Sequence, residues 1–116
     1  MVEMSRAEFE ELVADALDGV PDEIAARVRN LVVLVEEDAP PEDPDLLGLY
    51  EGVALTEGES STAGQLPARI LLFRQNLQDM CETPEELVEE VRITVVHEIA
   101  HHFGIDDARL HDLGYA

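Results

Sequence analysis

The stretch Thr83-Pro84-Glu85-Glu86-Leu87-Val88-Glu89-Glu90-Val91-Arg92-Ile93-Thr94-Val95-Val96-His97-Glu98-Ile99-Ala100-His101-His102-Phe103-Gly104 decides the fold. Its first four residues are a strong helix start. The Thr83 hydroxyl can accept an orphan backbone N–H, Pro84 stands where a missing N–H costs nothing, and Glu86 can close a capping box. Beyond them Leu87, Val91, Val95 and Ile99 form an apolar row, which Val88, Ile93, Val96, Ala100 and Phe103 widen. So broad an apolar surface predicts a helix to Phe103, buried on most sides and lying against a sheet. Gly104 can take the left-handed conformation that ends a helix.

Working outward, Arg69-Ile70-Leu71-Leu72-Phe73 and Leu31-Val32-Val33-Leu34-Val35 are apolar runs of strand length, the latter bounded by Glu36, Glu37 and Asp38. Leu47 to Leu55 predicts another strand, broken by Gly48 and Gly52, and a polar loop follows through Gln65. Prolines at 40, 41 and 44 make residues 39–44 a loop. Ser5 with Glu8 is a capping-box pattern, and Phe9, Leu12, Val13, Ala16 and Leu17 recur at helical spacing, so a helix is expected from Ser5 to Asp18. Pro21-Asp22-Glu23 opens a short second helix. No repeat or change of composition divides residues 1–116, and one α+β domain is expected. It would hold an amino-terminal helix, three or four strands in a small twisted mixed sheet, the long helix, and a short carboxy-terminal turn or helix.

A hydrophobic content of 46% supports a globular core, and aromatic residues at 4% leave the packing to Leu, Val, Ile and Ala. The formal net charge is -20, and all seven basic residues are arginine. Such a surface disfavours nucleic-acid backbones and anionic membranes as partners. Cys81 is the single cysteine, which excludes an internal disulfide and suits a reducing compartment. With no signal-like or membrane-spanning apolar run, a cytoplasmic protein is expected.

The end of the long helix carries the chemistry. Residues four apart on a helix lie about 40° apart around the axis and roughly 6 Å along it, so the His97 and His101 imidazoles can reach one cation. Glu98 is turned about 100° from His97, which lets its carboxylate flank a bound ion and take a proton from water. Zinc accepts imidazoles and, in catalytic sites, takes three protein ligands. If the chain turns back at Gly104, Asp107 completes HExxHxxGxxD, with Asp106 and His111 as competitors for the third position. No glutamate follows Glu98, which removes the arrangement whose third ligand is a later glutamate. Random ordering of this composition gives HExxH in roughly 2% of chains, and the later Gly and acid cut that to roughly 0.01%, so chance is a poor explanation.

The run from His97 to Asp107, with Leu110-His111-Asp112-Leu113-Gly114-Tyr115 after it, resembles a family of minimal bacterial zincin-like metallopeptidases. Leu47-Gly48-Leu49-Tyr50-Glu51-Gly52 and Leu66-Pro67-Ala68-Arg69-Ile70 extend the resemblance upstream. It implies a stripped-down zincin-like fold with a small sheet beside the active-site helix. It also implies a zinc-dependent peptidase acting on peptide or protein substrates. A departure from the metzincin pattern is that no methionine follows Asp107.

On this reading His97, His101 and Asp107 hold Zn2+ and Glu98 is the general base. An extended peptide would add to an exposed sheet edge, with Arg69 to Phe73 as the first candidate strand. The alternative is a non-catalytic zinc-binding interaction domain that keeps the motif. His102, turned about 140° from His97, is expected to face away from the metal in a structural or supporting role. Tyr50 and Tyr115 are read as packing residues. Strand order and oligomeric state are not encoded in these patterns.

Overall fold

The computed structural model describes residues 1–26, 31–51 and 68–115. Among them the chain forms α1 (Arg6–Asp18), α2 (Asp22–Ala26), β1 (Leu31–Glu36), β2 (Gly48–Glu51), β3 (Ala68–Phe73), α3 (Arg74–Met80), α4 (Pro84–Phe103) and α5 (Asp107–Asp112). This is the expected α+β arrangement. The continuation of the second strand past Glu51 and the polar loop through Gln65 lie outside the described residues.

Both predicted capping boxes form. The Glu8 backbone N–H donates to Ser5 Oγ at 3.1 Å while the Ser5 N–H donates to Glu8 Oε1 at 2.8 Å. At α4 the Glu86 N–H donates to Thr83 Oγ1 and the Thr83 N–H to Glu86 Oε1, each at 3.1 Å. Caps of this kind are worth about 1 kcal/mol each. α3 was not foreseen, because Phe73 stands at its cap position and makes no side-chain bond there, so the sequence offers no start signal.

The sheet has the order β1-β3-β2, with β3 parallel to β1 and antiparallel to β2. This corrects one expectation: the Arg69–Phe73 strand is the centre of the sheet, bonded on both sides, and not a free edge. Its composition explains the placement, since Ile70, Leu72 and Phe73 are all buried, as befits a strand with neighbours on either side. Among the described residues the edges belong to β1 and β2.

The anticipated α4 row, Leu87, Val91, Val95 and Ile99, is buried, together with Val96 and Ala100. These side chains meet Phe9, Leu12, Val13 and Ala16 of α1, Ile70 and Leu72 of β3, and Leu77 of α3 in one cluster. At about 2 kcal/mol for each large aliphatic side chain removed from water, this burial holds α4 in place. α4 is buried along most of its length, and His97, His101 and His102 emerge exposed near its end. Among the described residues no helix is long and apolar enough to cross a membrane.

Candidate metal centre

The last turn of α4 ends as its sequence requires. Gly104 sits at φ 73° and ψ 27°, in the left-handed region, and its N–H donates to the Ala100 carbonyl. The Ile105 N–H reaches the same carbonyl at 3.1 Å, and the Ile105 side chain is buried in the core. The chain is thereby folded back over the end of α4. Asp106 caps α5 by accepting the Arg109 N–H on Oδ1 at 2.8 Å, and Asp107 becomes the first helical residue.

This turn creates an open depression of ≈ 710 Å³, lined among others by His97, His101, Asp106, Asp107, Leu110 and Tyr115. His97, His101 and Asp107 are all exposed. The three predicted ligands therefore share one depression. Among the described residues, no three His, Cys, Asp or Glu side chains stand close enough together to hold an ion. His97 Nε2 lies 2.6 Å from the carbonyl oxygen of Tyr115. A carbonyl can only accept, so in this arrangement Nε2 carries the hydrogen and the lone pair open to a metal is on Nδ1; ligation through Nε2 would require that contact to be given up. The donor set itself, two imidazoles and a carboxylate on accessible side chains around one depression, fits zinc.

The competing ligands have other placements. Asp106 spends one carboxylate oxygen on the α5 cap, and His111 lies on α5 outside the lining of the depression. Glu98, next to His97 on α4, is half-buried and outside the lining of the depression, and its Oε1 accepts the backbone N–H of Tyr50 at 2.9 Å. The Tyr50 ring lies flat on His102, with centroids 4.3 Å apart and planes at 19°, and Phe103 meets the Tyr50 ring edge-on at 5.7 Å. His102 is outside the lining of the depression, and the Tyr50 ring of β2 lies on one of its faces. Sequence reasoning treated Tyr50 as a packing residue and missed its amide. A backbone donor leaves no mark on residue choice, and only the upstream resemblance around Tyr50 drew notice to it.

The resemblance noted in the sequence is matched by comparison with known proteins. No curated protein matches the chain. A solved structure of a conserved hypothetical protein from Thermo thermophilus is similar over 86% of this chain and 94% of that one, with 27% sequence identity and a TM-score of 0.55. The sequence profile of zincin-like metallopeptidases matches residues 28–115, a span that includes β1 to β3 and the α4–Gly104–α5 turn. With its two accessible imidazoles one turn apart and its returning carboxylate, the chain belongs to the zincin-like metallopeptidase family.

Proposed function

We propose that this protein is a zinc-dependent peptidase in which His97, His101 and Asp107 hold the ion and Glu98 is the general base. The observation that carries the reading is the sharing of one depression by His97, His101 and Asp107; Glu98 follows His97 on the same helix, and its carboxylate is held by the Tyr50 amide. When bound, zinc supplies a Lewis acid that polarises a carbonyl and makes water acidic near neutral pH. Glu98 accepts the proton of the attacking water on its carboxylate and passes it to the leaving amine, with no covalent intermediate on the protein. Oε1 is oriented by Tyr50, which leaves Oε2 for that proton.

The substrate edge is reassigned from β3 to β2. Phe73 N–H donates to the Leu47 carbonyl at 3.0 Å, and Gly48, Leu49, Tyr50 and Glu51 stand opposite Leu72, Leu71, Ile70 and Arg69. Antiparallel pairing alternates, so the backbone groups of Gly48 and Tyr50 face away from β3; the Tyr50 N–H is already given to Glu98, and an added strand would pair with the groups that remain. β2 is also the strand that touches Glu98. An extended peptide laid along β2 has its carbonyl carried past Glu98. The acidic surface favours basic peptides in the encounter.

The decisive experiment is mass-spectrometric cleavage of a mixed peptide library by the zinc-loaded protein and by zinc-loaded Glu98→Gln. Cuts are expected from the wild type alone. Stoichiometric zinc in both proteins with no cuts from either would replace this reading with that of a zinc-binding interaction domain.

A further inference from the structure

We infer that His102 is a positioning residue for Glu98, acting through Tyr50. The inference rests on the reading of Glu98 as the general base. Glu98 and His102 are one turn apart on the same face of α4, the spacing at which helix side chains are neighbours. His102 Nε2 is 4.0 Å from Glu98 Oε1, too far for a hydrogen bond and an ion pair only when the imidazole is protonated. Tyr50 touches both. Its ring is stacked on His102 and flanked edge-on by Phe103, while its backbone N–H reaches Glu98. Tyr50 is thus attached to α4 at two points a helical turn apart.

The phase of the sheet makes this possible. Opposite Ile70, Tyr50 occupies a pair whose backbone groups point off the sheet edge, so its N–H is not used by β3. An edge donor left there would bond water. The stack fixes the strand at the height where that donor meets the Glu98 carboxylate. Among the described residues β2 runs from Gly48 to Glu51, which puts Tyr50 one residue from the last described position of the strand. His102 is half-exposed, so its ring is not needed to fill the core, which agrees with a role directed at Tyr50.

The test uses the full-length, zinc-loaded, ¹⁵N-labelled protein and reads the Tyr50 amide by hydrogen exchange and chemical shift. Glu98→Ala, which deletes the acceptor, should raise Tyr50 exchange about tenfold, as expected for one ordinary hydrogen bond. His102→Ala should do the same and move the Tyr50 amide shift toward that of Glu98→Ala, while His102→Phe, which keeps a stacking ring, should preserve protection. Kinetically, His102→Ala should lower kcat about tenfold with KM changed less than about twofold, and His102→Phe should restore kcat. Wild-type protection of Tyr50 in His102→Ala, or its loss in His102→Phe, would overturn the inference. If wild type cleaves nothing while the amide pattern is as described, the assignment of the reaction fails and the positioning of Glu98 by His102 stands.

Discussion

Gly48 and Thr94 are in closer contact than any side chain at position 48 would allow. A Cβ on Gly48 would lie 2.7 Å from Thr94 Cγ2 and 3.2 Å from the Leu71 carbonyl oxygen. Gly48 is therefore the point where β2 rests on α4, and it begins the strand where the sequence suggested a break. Gly48→Ala must push β2 away from α4 or from β3. We expect a loss of about 1–3 kcal/mol, the usual cost of overpacking, measured by thermal or urea denaturation. Because Tyr50 is two residues along the same strand, cleavage should fall further than stability explains. A Gly48→Ala protein as stable and as active as wild type would show that this contact has no consequence.

The two aspartates after Gly104 should separate cleanly. Both line the depression with His97 and His101, but Asp106 uses Oδ1 to cap α5. Asp106→Ala is expected to cost about 1 kcal/mol of stability and leave zinc affinity nearly unchanged. Asp107→Ala, like His97→Ala or His101→Ala, should weaken zinc binding at least about 100-fold, since even residues that only support ligands can cost that much. Competition with a chelating dye for zinc measures both. The reverse order of effects would make Asp106 the ligand.

Much of this architecture is legible in the sequence. α1 and α4 announced themselves through their capping boxes and apolar rows, and Gly104 through the need for the chain to turn. Those signals are local and each has a mechanism in a few residues. The place of β3 was not legible, because an apolar strand run is compatible with a centre or an edge, and the partner is chosen by packing that involves residues far apart in sequence. The role of the Tyr50 amide was hidden for a related reason. It depends on strand phase and on β2 meeting α4, neither of which leaves a trace in the identity of residue 50. His102 could be placed away from His97 by helix geometry, but what it would touch could not.

Acid should destabilise the protein partly through Glu37. Its carboxylate receives Arg74 Nη2 at 2.6 Å and Arg74 Nε at 3.0 Å, with Arg6 Nη1 at 3.3 Å. The Arg74 hydrogen bonds hold the carboxyl below its ordinary range, partly opposed by desolvation and aided by the charges of Arg74 and Arg6. The unfolded chain therefore takes up the proton first as pH falls. The stabilisation is complete above the ordinary glutamate range and is lost as pH drops through the lowered pKa of Glu37. Glu37→Gln should lower Tm at pH 7, and the gap from wild type should close toward pH 3. Arg74 also donates to the Met4 carbonyl at 2.8 Å and to Gln78 Oε1 at 3.0 Å, so Arg74→Ala should cost about 2 kcal/mol or more and keep part of that cost in acid.

Cys81 gives the opposite sign at the alkaline end. Burial pushes its thiol up, the charges of Glu90, Glu86 and Glu82 push the same way, and only the amino terminus opposes them. The residue is 1% exposed and belongs to the core cluster. A neutral, enclosed thiol is a poor nucleophile, so Cys81 should resist iodoacetamide in the native protein at pH 8 and react promptly in urea. The unfolded chain loses its thiol proton at the ordinary pH and the folded chain only above it. Folded stability contributed by this difference is present below the ordinary cysteine range and declines as pH rises through it. Denaturation midpoints of wild type and Cys81→Ala from pH 7 to pH 10 measure the effect, and the wild type should lose more across that interval. Fast native alkylation at pH 8 would mean that the thiol is reached by local opening of the segment between α3 and α4, and the alkaline decline should then vanish with it.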